Sequence, residues 1–445
     1  MPRSDNIAAI ATAPGRGGIG VVRISGLNLA EIARCIIGSL PTPRIALYTP
    51  FLNDEAETID QGIALYFPSP HSYTGEDVLE LQGHGGTAIL QLVLQRCLSL
   101  GCRIADPGEF TQRAFLNNKL DLAQAESVAD LIDASTSQAA KSAMRSLIGE
   151  FSRVVHQLVN QLIELRMLVE AMLDFPEEEL DVYDITIRNA KLALILNELN
   201  RTLVLAQQGS LLREGAQIAV IGQPNVGKSS LLNCLSGEDI ALVSEVPGTT
   251  RDLIRQSIQI NGVPLHIIDT AGMRETQDTV EKMGIALTRN TIQKADVVLL
   301  MIDAQKGFNE IDHNILAELP VNTPRLYVFN KIDVLDEEAR FETHEGNIFI
   351  YLSVQTGSGI DLLKEQILSL IGWHQDSGVF MARERHIRAL KKAQIHLKCS
   401  ADDADRAEIF AEELRIAQEA LNSITGEFSS DDLLGEIFSR FCIGK

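Results

Sequence analysis

At 445 residues the chain is longer than one hydrophobic core organises, and a scale of roughly 150 residues per domain points to about three domains. Hydrophobic residues at 45% and charged residues at 22% describe a folded globular protein and exclude a disordered one. A formal net charge of −21 excludes a surface that grips nucleic acid by charge everywhere and leaves only a local basic patch for that role, because phosphate affinity needs clustered Lys and Arg.

The six cysteines, Cys35, Cys97, Cys102, Cys234, Cys399 and Cys442, have neither metal-ligand spacing nor the density of a disulfide scaffold, which fits a reducing compartment. Residues 1–26 lack the basic start and apolar run of a signal peptide. Apolar runs such as 297–302 fall far short of the roughly 20 residues of a membrane span. A cytoplasmic protein without membrane contact is expected.

Short β-prone runs at 7–12, 19–24, 63–67 and 78–81, mixed with a helical run at 87–100, predict an α+β domain over residues 1–118. Asp106-Pro107-Gly108-Glu109 supplies an N-cap, a proline for the first helical position and a Glu three residues after the cap, predicting a helix start there. From 122 to 212 apolar residues recur at helical spacing, as in Phe151, Val155, Leu158, Leu162, Leu165 and Val169. Long amphipathic helices are expected, broken at Asp174-Phe175-Pro176-Glu177-Glu178 and resuming near Ile185. From 217 to about 371 the pattern becomes strand, glycine loop, helix. Near-continuous apolar strands at 218–221, 265–268, 297–302, 326–329 and 348–352 predict a doubly wound, mostly parallel sheet. Asn261-Gly262 predicts a hairpin that adds one antiparallel strand. Helical spacing returns at 385–397 and 407–424. The expected organisation is a multidomain α/β and α+β protein. An N-terminal α+β domain (1–118) is followed by a discontinuous all-α domain (119–212 and 375–445), into which a Ras-like P-loop α/β domain (213–374) is inserted.

Within the inserted domain, Gly222-Gln223-Pro224-Asn225-Val226-Gly227-Lys228-Ser229 fits G-x-x-x-x-G-K-S, between a strand and a helix-like run that starts at Ser230. Its glycines let main-chain N–H groups cradle phosphates, Lys228 brings charge to the β/γ oxygens, and Ser229 can ligate Mg²⁺. Asp269-Thr270-Ala271-Gly272 ends the next strand, where a carboxylate reaches the metal through water and a glycine N–H faces the γ-phosphate. Asn330-Lys331-Ile332-Asp333 ends a later strand. Its Asp333 can accept from N1–H and the exocyclic amine of guanine, a donor pair adenine lacks. Ser353-Val354-Gln355 can offer a main-chain N–H to guanine O6. Gly248-Thr249-Thr250-Arg251-Asp252 reads as a switch in which Thr250 completes the Mg²⁺ shell.

Met273 stands where Ras-type GTPases orient the attacking water with a glutamine, so hydrolysis needs another device. Arg251 or Arg274 could serve as an intrinsic arginine. Alternatively, a monovalent cation could sit on the Asn225 side chain and the carbonyls of Ser244-Glu245-Val246-Pro247-Gly248-Thr249. Glu281 could orient water or could be a solvated carboxylate at a helix start. Residue chemistry alone does not choose among them.

Motifs outside this domain carry a resemblance over essentially the whole chain. They are Pro14-Gly15-Arg16-Gly17-Gly18, Gly75-Glu76-Asp77 with Glu80, Gly83-His84-Gly85-Gly86, Pro107-Gly108-Glu109-Phe110 through Lys119-Leu120-Asp121, Asp174-Phe175-Pro176-Glu177-Glu178, and the terminal Phe441-Cys442-Ile443-Gly444-Lys445. With the nucleotide motifs they resemble the MnmE (TrmE) family of tRNA-modification GTPases. The resemblance implies a homodimer that works with the FAD- and NADH-dependent partner MnmG in a heterotetramer or larger complex on tRNA. Together these would place an aminomethyl-type group on C5 of the wobble uridine, using 5-formyl-tetrahydrofolate or another tetrahydrofolate one-carbon derivative. It also implies K⁺ on Asn225 and on the carbonyls of Ser244, Val246 and Thr249, with Glu281 as the catalytic carboxylate. The folate positions it implies are Arg23, Glu80, Lys119 and Lys445. The two lysines and Arg23 suit a glutamate tail, and Glu80 suits pterin donors.

Cys442 is not a prenylation box, since Gly444 is not aliphatic and Lys445 is atypical as a last residue; the resemblance instead suggests a functional thiol. His84, among glycines, reads as a structural residue and not a metal ligand. The competing reading is a ribosome-assembly GTPase of the Era or Der type. Such a protein should carry a basic RNA-binding module beside its GTPase domain, whereas acidic helices follow Ala401 here. A third reading makes the N-terminal domain a folate-binding module with no chemistry of its own.

Overall fold

The computed structural model describes residues 5–174, 182–238, 256–269, 295–317, 319, 323–374, 378–402, 406–426, 437–439, 441, 442 and 444. They form two compact units, one of residues 1–132, 146–196 and 389–445, the other of 133–145 and 197–388.

The first unit is built on a six-stranded sheet of β1 (Ile7–Ile10), β2 (Gly17–Gly26), β3 (Leu47–Leu52), β4 (Thr58–Phe67), β5 (Asp77–Gly85) and β6 (Arg103–Ile104), ordered β3-β4-β5-β2-β1-β6. Neighbouring strands are antiparallel except β1 and β6. Helices α1 (Ala30–Ile37) and α2 (Thr87–Ser99) cover one face. There Val22, Ile24, Leu79 and Leu81 from the strands join Ile32 and Ile36 of α1 and Leu90 and Val93 of α2 in a single core. Strand side chains alternate between faces, so the residues between these, Arg23 and Glu80, stand opposite one another on the other face. That face is closed by Phe110 of α3 (Glu109–Leu116), packed with Ile7, Ala9 and Ala105. Strand β3 escapes sequence reading because Pro50 interrupts it, and its place at the sheet edge is what tolerates a proline.

The expected capping of α3 needs correction. The helix starts at Glu109, two residues later than Asp106 as N-cap would give, after a left-handed Gly108 (φ 68°). The Glu109 carboxylate still accepts from the Asp106 N–H at 2.8 Å, so half of the capping box survives.

Three long helices complete the first unit's core. In α6 (Glu150–Asp174), Phe151, Val155, Leu158, Leu162, Leu165 and Val169 are fully buried, one stripe at helical spacing. They face Phe410, Leu414, Ala417 and Leu421 of α12 (Ala407–Thr425), with Arg166 donating to Gln418 at 2.7 Å. Helix α7 (Val182–Glu214) starts three residues before the expected Ile185; of the break between α6 and α7, only Asp174 is described. Helix α4 (Leu122–Asp133) packs Leu122 and Ala125 against Phe438 and Phe441 near the chain's end. Helix α11 (Glu384–Asp402) crosses the division between the units, as α7 does.

The second unit holds a seven-stranded sheet ordered β12-β13-β11-β10-β7-β9-β8. Its strands are β7 (Ala216–Gly222), β8 (Gln256–Ile260), β9 (Val263–Asp269), β10 (Val297–Asp303), β11 (Arg325–Asn330), β12 (Arg340–His344) and β13 (Asn347–Leu352). The inner five are parallel, and every residue of β10 is buried, as its unbroken apolar run demands. Helices α8 (Lys228–Glu238), α9 (Glu310–Ala317) and α10 (Ile360–Leu370) follow β7, β10 and β13. The Asn261-Gly262 hairpin joins β8 to β9 as expected, both residues at positive φ (51° and 80°). A second antiparallel strand, β12, was not expected. Its sequence RFETH lacks an alternating apolar face because it lies at the sheet edge. It pairs with β13 through Glu345-Gly346 at φ 50° and 78°. All but the last two residues of helix α5 (Ser137–Leu147) belong to this unit, where Thr136 just before it donates to Gly262 O at the hairpin tip at 2.8 Å.

Candidate guanine-nucleotide site

Strand β7 delivers the chain into a loop at the carboxyl end of the parallel sheet, where ligands of doubly wound folds bind. The loop turns on Gly222 (φ 143°), Asn225 (φ 63°) and Gly227 (φ 105°). A Cβ on Gly222 would lie 2.3 Å from Met301 O, and one on Gly227 would lie 2.4 Å from Asn330 Nδ2. Glycine is therefore required twice, by conformation and by space, and the loop's N–H groups are left to face an anion. Lys228 Nζ donates to the carbonyls of Gly222 (2.7 Å) and Gln223 (2.8 Å), which folds the cation back over the loop. Ser229 and Ser230 are exposed in the first turn of α8, and Val226 is buried beneath.

Asn330, 4% exposed at the end of β11, ties two loops to this one. Its Nδ2 donates to Val226 O at 2.8 Å, and its Oδ1 accepts from the Val354 N–H at 3.0 Å. Lys331, left-handed at φ 74°, places Nζ 2.7 Å from Asp303 Oδ2. Burial works to raise the Asp303 carboxyl, but the bonds from Lys331 and from the Gln305 N–H outweigh it and hold it below its ordinary 3.8. Asp333 follows in a 3₁₀ turn (Ile332–Leu335), and its Oδ1 is buried without a hydrogen-bond partner among the described residues. A buried carboxylate oxygen left unpaired is costly, and here it stands two residues from a lysine held aside by Asp303. It is an acceptor waiting for a donor. Ser353 is buried, and its Oγ accepts from the Thr356 N–H at 3.2 Å, shaping the loop that carries Val354 and Gln355.

The sequence reading missed Gln223, whose amide is held by Asn309 and Asp312, and Asp303, which orients Lys331. The only signal for the first was Asn309-x-x-Asp312 opening a helix, a capping pattern. Ser244, Glu245, Val246, Pro247, Gly248, Thr249, Thr250, Arg251, Asp252, Thr270, Ala271, Gly272, Met273, Arg274, Glu281 and Lys445 lie outside the described residues, as does the side chain of Asp269. Of the expected K⁺ positions, Asn225 alone is described, exposed and left-handed.

In the first unit Arg23 and Glu80 are paired directly, Nε and Nη2 each 2.9 Å from Oε1. Arg23 also lies over the rings of Tyr73 (5.5 Å) and Phe110 (5.7 Å). The loop that carries Tyr73 reaches Lys119, whose Nζ donates to Pro70 O at 3.0 Å. Cys442 is exposed, and its carbonyl accepts from the Gly108 N–H at 3.3 Å, two residues before Phe110. Beside this face Arg113, 6% exposed, binds Glu76 (3.0 Å), Glu109 (2.9 Å) and Asp5 (2.9 Å), while Arg103 shares Glu109 (2.7 Å). His84 is bound to Asp60 through both its N–H and Nδ1, and no cluster of metal-ligating residues exists among the described residues. None of the described helices is long and apolar enough to cross a membrane.

A glycine-built phosphate loop with its lysine and an Asn-Lys-Ile-Asp turn with an unpaired acceptor, both at the carboxyl end of a doubly wound sheet, define a Ras-like guanine-nucleotide-binding domain. Residues 6–119 match the family described as GTP-binding protein TrmE N-terminus, and residues 122–442 match the MnmE helical domain. The chain is 58% identical to the tRNA modification GTPase MnmE of Nitrosomonas europaea, with both chains covered completely. It is 55% identical to that of Laribacter hongkongensis over 99% of each chain. A solved structure of Aquifex aeolicus Era bound to GDP and AlF4⁻ aligns with 41% of this chain and 66% of its own at 25% identity, with a TM-score of 0.28. The chain belongs to the MnmE family.

Proposed function

We propose that the protein is a GTP-hydrolysing enzyme of tRNA modification. With the flavin-dependent MnmG it adds a carboxymethylaminomethyl or aminomethyl group to C5 of uridine 34 in certain tRNAs, using a tetrahydrofolate one-carbon unit. The observation that carries the nucleotide half is the buried, unpaired Asp333 Oδ1 on a turn tied through Asn330 to the phosphate loop. The relatives' shared name, tRNA modification GTPase, supports the other half. The family match spans both flanks of the nucleotide domain, which leaves the Era-type alternative without support.

On this reading Asp333 accepts the two guanine donors, and Asn330 keeps the base loops in register with the phosphate loop. Lys228 exchanges the carbonyls of Gly222 and Gln223 for β/γ-phosphate oxygens. Ser229 and Thr250 would hold Mg²⁺. Asn225, with the carbonyls of Ser244, Val246 and Thr249, would hold K⁺ in place of an arginine finger. Bound there, the two ions would supply positive charge to the phosphates. Glu281 orients the attacking water, a task Met273 cannot perform. Arg23, Glu80, Lys119 and Lys445 would bind the folate. The chemistry of the described ones fits, a cation beside a carboxylate over two aromatic rings, with Arg23 still 23% and Glu80 16% exposed. Cys442 is proposed as a thiol near the one-carbon chemistry. The protein acts as a cytoplasmic homodimer, with the domain boundaries near 118, 212 and 374 given above.

Mass spectrometry of tRNA nucleosides from a deletion strain should show loss of the wobble-uridine modification, which the gene restores; an unchanged level of the modification would sink the proposal. GTP hydrolysis with K⁺ replaced by Na⁺ at equal ionic strength should lose most of its rate, and equal rates would remove the cation mechanism.

A further inference from the structure

We propose that Asp312, acting through Gln223, is a positioning residue for the phosphate loop and sets the affinity for the β-phosphate. The inference rests on the nucleotide reading of that loop. Asp312 is fully buried in the first turn of α9, a helix with no other part in the site. Its Oδ1 accepts from Gln223 Nε2 at 2.8 Å, and Asn309 Oδ1 accepts from the same nitrogen at 3.0 Å. The remaining carboxylate oxygen accepts from the Asn309 N–H at 3.2 Å, while Asn309 Oδ1 also accepts from the Ile311 N–H at 3.0 Å.

Two acceptors, each fixed by its own main-chain bond, thus converge on one amide nitrogen. A carboxylate offers only acceptors, so the Gln223 side chain can sit there in one orientation, NH₂ inward. Capping alone does not explain a fully buried carboxylate, since an asparagine would accept the Asn309 N–H equally well. The consequence lies one bond away. Gln223 is the second residue of the loop, next to the left-handed Gly222, and its carbonyl is one of the two that hold Lys228 Nζ. Clamping the side chain therefore fixes the peptide that aims the lysine and the first N–H groups of the anion cradle.

The experiment measures GDP and GMP affinities of the full-length protein by calorimetry, because GMP uses the base loops but has no β-phosphate. Gln223→Glu removes both donors and sets a carboxylate against Asp312. GDP affinity should fall about 10- to 100-fold, the scale of one or two lost charge-assisted bonds, with GMP affinity changed less than about threefold. Adding Asp312→Asn to that variant supplies an NH₂ to the new carboxylate and should recover most of the loss, although Asp312→Asn alone weakens GDP binding. Equal losses for GDP and GMP, no loss for either, or no recovery in the double variant would each overturn the proposal. A wild-type protein that binds no GDP would overturn the nucleotide reading itself, so the two failures are told apart.

Discussion

At the nucleotide loop the working groups are main-chain N–H groups and carbonyls laid open by Gly222 and Gly227. On the N-terminal sheet and at helix α3 against it they are side chains already neutralised against one another, Arg23 by Glu80 and Arg113 by Glu76, Glu109 and Asp5. The first arrangement depends on missing atoms, the second on balanced charges. They should therefore fail differently, one through added volume and the other through a removed partner.

The largest effect is expected at Gly227. Gly227→Val meets both a left-handed φ of 105° and a Cβ position 2.4 Å from Asn330 Nδ2. Strain of about 3 kcal/mol from the backbone alone corresponds to a loss of more than about 100-fold in GDP affinity, measurable by calorimetry. Next comes Arg113→Ala, which leaves the largely buried Glu76 without its cation and Glu109 and Asp5 held by Arg103 alone. Unfolding should become easier by about 2 kcal/mol in denaturant titration, with GDP affinity unchanged. If nucleotide affinity falls equally in that variant, the contrast between the two regions is broken.

A smaller effect is expected with pH. Burial pushes the Glu109 carboxyl up, but the bonds from Arg103 and Arg113 and the Asp106 N–H hold it below its ordinary 4.5. The hydrogen bond from Arg103 likewise holds Asp5 below 3.8. Lowered carboxyl values in the folded state mean that this stabilisation is fully present above the unfolded values and is lost as pH falls through the folded ones. Stability should therefore decline below about pH 4.5, and the decline should be shallower in Arg113→Ala. A decline of unchanged steepness would remove this network as its source.

The smallest comparison sharpens the role of space. Gly262 and Gly346 occupy matching hairpin positions (φ 80° and 78°), but only Gly262 would bring a Cβ within 2.9 Å of Gln138. Gly346→Ala should cost about 1 kcal/mol and Gly262→Ala clearly more, read as a difference in melting temperature. Equal shifts would show that the hairpin's contact with the start of α5 is soft.

The nucleotide loop was legible because its requirement is local. Glycines, a lysine and a hydroxyl at set spacing between a strand and a helix make an anion cradle wherever they occur, and the parallel strands declared themselves by unbroken apolar runs. Strand β12 was not legible, since an exposed edge strand needs no apolar face, and β3 was hidden by Pro50. Helix α3 moved its N-cap from Asp106 to Gly108 because Gly108 turned left-handed where Phe438 and Phe441 pass, a Cβ there meeting Phe438 O and Phe441 at 2.8 Å.

By itself, then, the sequence determined the doubly wound nucleotide domain, the helical stripes of α6 and α12, and the family. Each rests on spacing along the chain, through strand and helix periodicity or motif order. Only the tertiary structure decided that Arg23 meets Glu80, that Arg113 gathers three carboxylates from residues up to 108 positions away, and that Asp312 holds Gln223 across 89 positions. Those pairings depend on strand register and on which helix end faces which loop, and no local spacing encodes either.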